Sequence, residues 1–158
     1  MTTLVVASSQ HGSTREIAER IAKVLRVNKG VTTVVEHPKD APKWLATVDA
    51  VVVALPIYRD ALDKTGKAFL DTHRAELADK SLFILASGAA PSINPRLQAT
   101  IDSYGPRDTA YLRGALTEEK LGFLDKLSIK LVKGQYGDFR NWEAIEAWGK
   151  SLSDRGAH

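Results

Sequence analysis

Cysteine is absent from this 158-residue chain, and its absence excludes several kinds of chemistry at once. Without thiols the protein cannot form disulfides, use a cysteine nucleophile, or bind an iron–sulfur cluster or a cysteine-ligated zinc ion. Its four histidines show no H-E-x-x-H or similar metal-binding spacing, so we predict no metal site. Any redox chemistry would therefore have to come from a bound organic cofactor.

Long apolar runs and a strong excess of one charge are missing as well. No run approaches the length that crosses a bilayer, and the N-terminus MTTLVVAS has neither the basic region nor the cleavage pattern of a signal peptide. We therefore expect a cytoplasmic protein. Its 22 basic and 19 acidic residues give a net charge of +3, which favours anionic partners but is too small to indicate nucleic acid.

What the chain does contain is a regular alternation of apolar and amphipathic segments. The apolar segments are TTLVVASS, VTTVVEH, DAVVVALP, SLFILAS and DTAYLRGAL. Helices are predicted between them, including one from about Ala61 to Leu77 and a short one bracketed by Asn94-Pro95 and Gly105-Pro106. The first, third and fourth strands are almost wholly apolar, as is typical of a parallel sheet covered by helices on both faces. The pattern predicts one α/β domain over residues 1–158, a three-layer sandwich with a five-stranded parallel sheet.

The C-terminal third carries two further predicted helices, the first of which can be capped by Thr117. Lys126, Lys130 and Lys133 recur along it at helical spacing, opposite a stripe of apolar residues. A solvated helix face is the ordinary explanation of this pattern. The alternative is weak attachment to an anionic membrane, at the inner face of which the protein would be peripheral. The last helix carries Trp142, Ile145, Trp148 and Leu152.

Small and polar residues fill the loop between the first strand and the first helix, which reads SSQHGST. Ligands of an open parallel sheet bind beyond the carboxyl ends of its strands, and a helix N-terminus can hold a phosphate without a cationic side chain. The loop lacks the glycine patterns of triphosphate and dinucleotide sites. We therefore predict a bound phosphate group, and an S-x-x-E capping box of Ser13 and Glu16 is the alternative for those two residues alone. The predicted phosphate ligands are Ser9, Gln10, His11, Gly12, Ser13 and Thr14.

This loop resembles the phosphate loop of flavodoxins, which binds the 5′-phosphate of FMN. The stretch LPIYRDALDKTGKAFLDTHRAELADKSLFILASG resembles the menaquinone-dependent protoporphyrinogen oxidases, and so does the C-terminal third with its DFRNW entry to the last helix. The resemblance covers nearly the whole chain. It implies a flavodoxin-like sandwich with strand order 2-1-3-4-5 and FMN as the cofactor. It also implies a role in haem biosynthesis, in which a porphyrinogen or other small reduced substrate is oxidised and a quinone or redox protein accepts the electrons.

The same resemblance implies where the flavin ring lies, namely between the loops that follow the third and fourth strands. Tyr58 is the aromatic residue of these loops and the candidate to stack on the ring, unless it is a surface tyrosine that shields the end of the sheet. Relatives tend to have glycine after this tyrosine, where the chain has Arg59-Asp60, so the resemblance does not extend to that turn. The ring-binding residues implied are Pro56, Ile57, Tyr58, Arg59, Ser87, Gly88 and Ala89.

Other functions on the same fold are a flavodoxin that carries single electrons and a flavin-free binding module. The carrier is disfavoured because shuttling flavodoxins are usually acidic. A phosphoacceptor receiver domain is excluded, because Ser8-Ser9 and Leu55-Pro56 stand where acidic residues are required. No catalytic residue is predicted, since the flavin would supply the chemistry and the protein the position and electrostatics.

Overall fold

A computed structural model gives the fold and describes residues 2–8, 12–113, 115–116, 137–138 and 141–156. In this part of the chain, five parallel strands form the central sheet, namely β1 (Thr2–Ala7), β2 (Thr32–Glu36), β3 (Ala50–Tyr58), β5 (Ser81–Gly88) and β6 (Asp108–Arg113). Their order across the sheet is β2-β1-β3-β5-β6. A two-residue strand, β4 (Ala61–Leu62), pairs antiparallel with the end of β3. Apart from this addition, the α/β sandwich and its strand order are confirmed.

Helices cover both faces of the sheet, and none of those described is long and apolar enough to span a membrane. They are α1 (Ser13–Lys29), α2 (Lys64–Thr72), α3 (Arg74–Ala78), α4 (Pro95–Asp102) and α5 (Trp142–Gly156), with a 3-10 turn at Ala41–Trp44. The short strands β7 (Ala115–Leu116) and β8 (Gly137–Asp138) pair with each other. The helix proposed to follow Thr117, with its three lysines, lies outside the described residues.

The helix predicted from about Ala61 to Leu77 is wrong in detail. The chain first forms β4, and α2 and α3 then follow with His73 between them at φ −107°. A two-residue turn at Arg59 and Asp60 causes this, because both residues have positive φ and return the chain against β3. The apolar residues whose spacing suggested one helix are indeed buried, but they belong to three separate elements.

The predicted ends of two strands also shift, again because of how the strands pair. The third strand continues past Pro56 to Tyr58, because it gains β4 as a partner. The fifth strand ends at Arg113, and residues 115–116 belong to the separate β7–β8 pair. By contrast, the short helix predicted after Asn94-Pro95 is confirmed, with the Asn94 side chain accepting a hydrogen bond from the Arg96 N–H at 2.8 Å.

Two apolar cores lie on opposite faces of the sheet, since alternate residues of a strand point to opposite sides. The first, on the face covered by α2, α3 and α4, includes Val51, Val53 and Leu55. The second, covered by α1 and α5, includes Val52 and Ile145. Ile145 is fully buried, which confirms the apolar stripe predicted for the last helix.

A surface network joins α2 to the turn after α4. The Tyr104 hydroxyl donates to Asp71 Oδ1 at 2.5 Å, and Lys67 Nζ donates to Asp71 Oδ2 at 2.9 Å. The hydrogen bond from Tyr104, followed by that from Lys67, lowers the pKa of Asp71 below its ordinary value. Burial, followed by the hydrogen bond to Asp71, raises the pKa of Tyr104.

We expect Tyr104→Phe to raise the pKa of Asp71 toward 3.8. A carboxyl whose pKa is lowered by folding stabilises the protein above its unfolded pKa, and this contribution disappears as the pH falls through the folded pKa. Because Asp71 is half exposed, the loss at neutral pH should stay below about 1 kcal/mol. An NMR titration of the Asp71 carboxyl measures the shift, and an unchanged midpoint would contradict it.

Candidate cofactor site

The first part of the candidate site is the entry to α1. Gly12 stands at the N-cap with φ 86°, a left-handed conformation that glycine adopts easily, and its carbonyl accepts the Glu16 N–H at 2.8 Å. Ser13 is thus the first residue of the helix. It does not occupy the N-cap, the position that the alternative capping box with Glu16 requires.

Three hydroxyl side chains are buried at this entry. Ser8, Ser13 and Thr14 are only 2%, 9% and 3% exposed. The Ser8 Oγ has no hydrogen-bond partner among the described residues, although buried polar atoms are normally paired. Neutral donors at the positive end of a 17-residue helix fit a phosphate group. Ser9, Gln10 and His11 lie outside the described residues, so their contacts with the phosphate stay predictions.

The second part is a cleft of about 270 Å³ at the same edge of the sheet. It lies between the β3–β4 turn and the loop that follows β5, because these strands are neighbours in register, with Pro56 opposite Ser87. Gly88 lets the walls approach, since a Cβ there would lie 3.1 Å from the Tyr111 Oη and 3.4 Å from the Ile57 Cβ. The cleft is therefore shaped by residues from β3, β5 and β6.

The structure brings some of the predicted ring-binding residues together and separates one. Ile57, Arg59, Gly88 and Ala89 all line the cleft. Pro56 and Ser87 are buried as paired neighbours just below it. Tyr58 does not line the cleft, and its side chain is 39% exposed. Its stacking on a flavin stays a prediction.

The cleft's two walls are tied to each other. The Asn94 amide donates to Asp60 Oδ2 at 2.9 Å, while its oxygen caps α4. Sequence reasoning recognised Asn94 as a cap but missed its bond to Asp60. It also missed Tyr111, whose hydroxyl donates to the Ala90 carbonyl at 2.5 Å. Burial raises the pKa of Tyr111, so the hydroxyl keeps its proton at neutral pH.

The turn at Arg59 and Asp60 contains no glycine, although both residues have a left-handed backbone. Their φ angles of 50° and 61° are left-handed, the region that a glycine enters without strain. Non-glycine residues pay about 1–2 kcal/mol each for this conformation. Asp60 is stabilised in it by the hydrogen bond from Asn94. The hairpin therefore forms without a glycine at either position.

A family model described as Flavodoxin domain matches residues 4–141. No curated protein matches the chain. A flavodoxin from the domain Archaea is 16% identical, with a TM-score of 0.68 and full coverage of both chains. Flavodoxin 1 from Bacillus cereus is also 16% identical over 98% of both chains, with a TM-score of 0.63.

Larger enzymes contain a similar fold. The rubredoxin oxygen:oxidoreductase of Desulfovibrio gigas is 15% identical with a TM-score of 0.56, and the match covers 96% of this chain but 36% of that one. At such identities the likeness to solved structures shows only the fold. The family model is the stronger finding, because it matches most of the sequence itself.

Proposed function

The chain belongs to the flavodoxin domain family, and we propose that it binds FMN and acts as a flavin-dependent redox protein. One observation carries this proposal. The buried hydroxyls at the start of α1 and the cleft between the ends of β3 and β5 lie along the same edge of the sheet. Open α/β sheets bind nucleotide-like ligands at this edge.

Each half of the site has its own task in this proposal. Ser13, Thr14 and the N–H groups of the first turn would hold the phosphate, helped by the predicted contacts of Ser9, Gln10 and His11. Ile57, Gly88 and Ala89 would contact the ring, and their apolar surfaces would keep water from one side of it. The bound flavin supplies the redox chemistry.

We further propose that the substrate is a porphyrinogen, or another small reduced molecule, and that a quinone accepts its hydrogens and becomes a quinol. The resemblance to the protoporphyrinogen oxidases supports this choice, as does the net charge of +3. Arg59 lines the cleft and would attract the carboxylates of a porphyrinogen. The second candidate is a flavodoxin-type electron carrier, which is favoured by the end-to-end match with archaeal and Bacillus flavodoxins.

The absorbance spectrum of protein purified after growth with excess riboflavin tests FMN binding. Bound FMN would give a yellow protein, whereas a colourless protein that also fails to take up added FMN would point to a flavin-free binding module. The holoprotein is then supplied anaerobically with a porphyrinogen and a quinone. Porphyrin formation that depends on the quinone supports the oxidase. Reduction by a redox protein partner without porphyrin formation supports the carrier.

We expect Tyr58→Ala to raise the fluorescence of FMN in the complex and to loosen its binding, because a stacked aromatic ring contributes about 1 kcal/mol beyond burial. Fluorescence titration of apoprotein with FMN measures both quantities. Trp44→Ala serves as the matched control, because Trp44 lies on the 3-10 turn and packs against the core rather than the cleft. Unchanged quenching in Tyr58→Ala would identify Tyr58 as a surface residue.

We propose a cytoplasmic location, with weak attachment to an anionic membrane through Lys126, Lys130 and Lys133. These residues lie outside the described part of the chain, and the proposal is based on their helical spacing. Each lysine near an anionic surface contributes about 1 kcal/mol. Sedimentation with anionic liposomes should fall with salt and on changing all three lysines to glutamine. If the parent protein does not sediment at low salt, the lysines form an ordinary solvated face.

A further inference from the structure

We infer that Tyr111 and Arg113 are positioning residues, which hold the loop after β5 in the conformation that forms one wall of the cleft. The inference rests on the proposed function, because it assigns these two side chains a role toward the flavin ring. Neither residue belongs to the loops from which FMN contacts were predicted, and both lie on the neighbouring strand β6.

Two side chains hold the loop after β5 by donating hydrogen bonds to two of its consecutive carbonyls. The Tyr111 hydroxyl donates to the Ala90 carbonyl at 2.5 Å. The Arg113 guanidinium donates to the Ala89 carbonyl through Nη2 at 2.9 Å and through Nε at 3.3 Å. These bonds join residues more than 20 positions apart in the chain. The loop from Ala89 to Ile93 forms no helix or strand, so its path depends on such side-chain contacts.

The register of the sheet explains why these two side chains reach the loop. Tyr111 pairs with Ala86 and Arg113 with Gly88, so the two residues lie beside the last three residues of β5. They are two positions apart on β6 and therefore point to the same face of the sheet. Tyr111 packs against the core of that face, and its ring closes over Gly88.

Holding the carbonyls also orients the peptide N–H groups. In a planar trans peptide the carbonyl and the following N–H point in opposite directions. With the Ala89 carbonyl directed to Arg113, the Ala90 N–H must point away from it. The next residue is Pro91, which has no N–H to offer. Arg113 thus sets the direction of the Ala90 N–H, a donor at the rim of the cleft that Ala90 lines.

The two side chains differ in what they would do to a bound flavin. Tyr111 lines the cleft and is neutral, so its loss should mainly loosen the wall. The charged Arg113 guanidinium is hydrogen-bonded to the carbonyl of Ala89, and Ala89 is a residue of the cleft wall. A positive charge close to the flavin favours its more negative, reduced form. Loss of the Arg113 charge should therefore make the midpoint potential more negative.

The test compares Tyr111→Phe and Arg113→Gln with the parent and with Tyr104→Phe as a matched control. Tyr104 also donates a 2.5 Å hydrogen bond, but to Asp71, away from the cleft. FMN titration gives Kd, spectroelectrochemistry gives the midpoint potential, and NMR of the flavin-free protein gives the Ala90 amide signal. Thermal unfolding of each variant shows that it is folded.

We expect a roughly three- to tenfold increase in the FMN Kd for Tyr111→Phe, equivalent to one hydrogen bond. Arg113→Gln should lower the midpoint potential and move the Ala90 amide signal, while Tyr104→Phe should match the parent in all three measurements. Parental values of Kd, potential and amide signal in both cleft variants would overturn the inference. If the parent itself binds no FMN, the proposed function fails, and the amide signal alone decides whether the two side chains hold the loop.

Discussion

Replacing Ser13 and Thr14 together by alanine should weaken FMN binding by about 2–4 kcal/mol, or roughly 30- to 1000-fold in Kd. Both side chains are almost fully buried at the first turn of α1, where the helix places its positive end. Hydrogen bonds to an ionised phosphate are about twice as strong as neutral ones, and the variant would remove the two that are proposed for these hydroxyls. The backbone N–H groups remain, so weak binding persists.

A fluorescence titration of the flavin-free protein measures this loss. The control is the double variant Thr100→Ala and Ser103→Ala, which also removes two helix hydroxyls that bond only to carbonyls of their own helix region, at the end of α4. It should bind FMN like the parent. Affinity should depend only modestly on salt, because the proposed phosphate donors carry no net charge. Identical titration curves for the Ser13–Thr14 variant and the parent would refute the assignment.

Gly66→Ala should destabilise the protein, although alanine favours helices. Gly66 lies in the first turn of α2 and is buried. A Cβ at this position would overlap the Leu55 Cδ2 and lie 2.9 Å from the Ser8 Oγ. Leu55 and Ser8 are both buried, so making room for the Cβ would disturb the packing of a dense core. Overpacking of this kind costs about 1–3 kcal/mol, more than the gain of up to about 1 kcal/mol from replacing a helical glycine.

Gly149→Ala is the matched control for this prediction. It is also a helical glycine, in α5 against α1, but the nearest atom to an added Cβ would be the Val24 Cγ1 at an ordinary 3.4 Å. We expect it to stabilise the protein by up to about 1 kcal/mol. Urea unfolding of both variants gives the two changes in midpoint at constant slope. A Gly66→Ala variant as stable as Gly149→Ala would contradict the predicted overpacking.

Much of the fold could be predicted because the relevant signals are local. Apolar strands alternating with amphipathic helices indicate an α/β sandwich, since both faces of a parallel sheet must be covered. Asn94 followed by Pro95 indicates the start of α4, because a cap and a first-turn proline act on their own backbone. The polar loop before α1 indicates a ligand site for the same reason, because the N–H groups of a helix N-terminus come from residues that are neighbours in the chain.

The sequence by itself therefore determined the class of fold, the order of its main elements and the loop proposed to bind phosphate. The tertiary structure decided the rest. The hairpin at Arg59 and Asp60 escaped sequence reasoning because neither residue is a glycine, and their left-handed backbone is imposed by the strand pairing around them. Tyr111 reaches the Ala90 carbonyl only because of the register between β5 and β6. Such contacts join residues far apart in the chain, and no local pattern of residue types records which strand lies beside which, or at what offset.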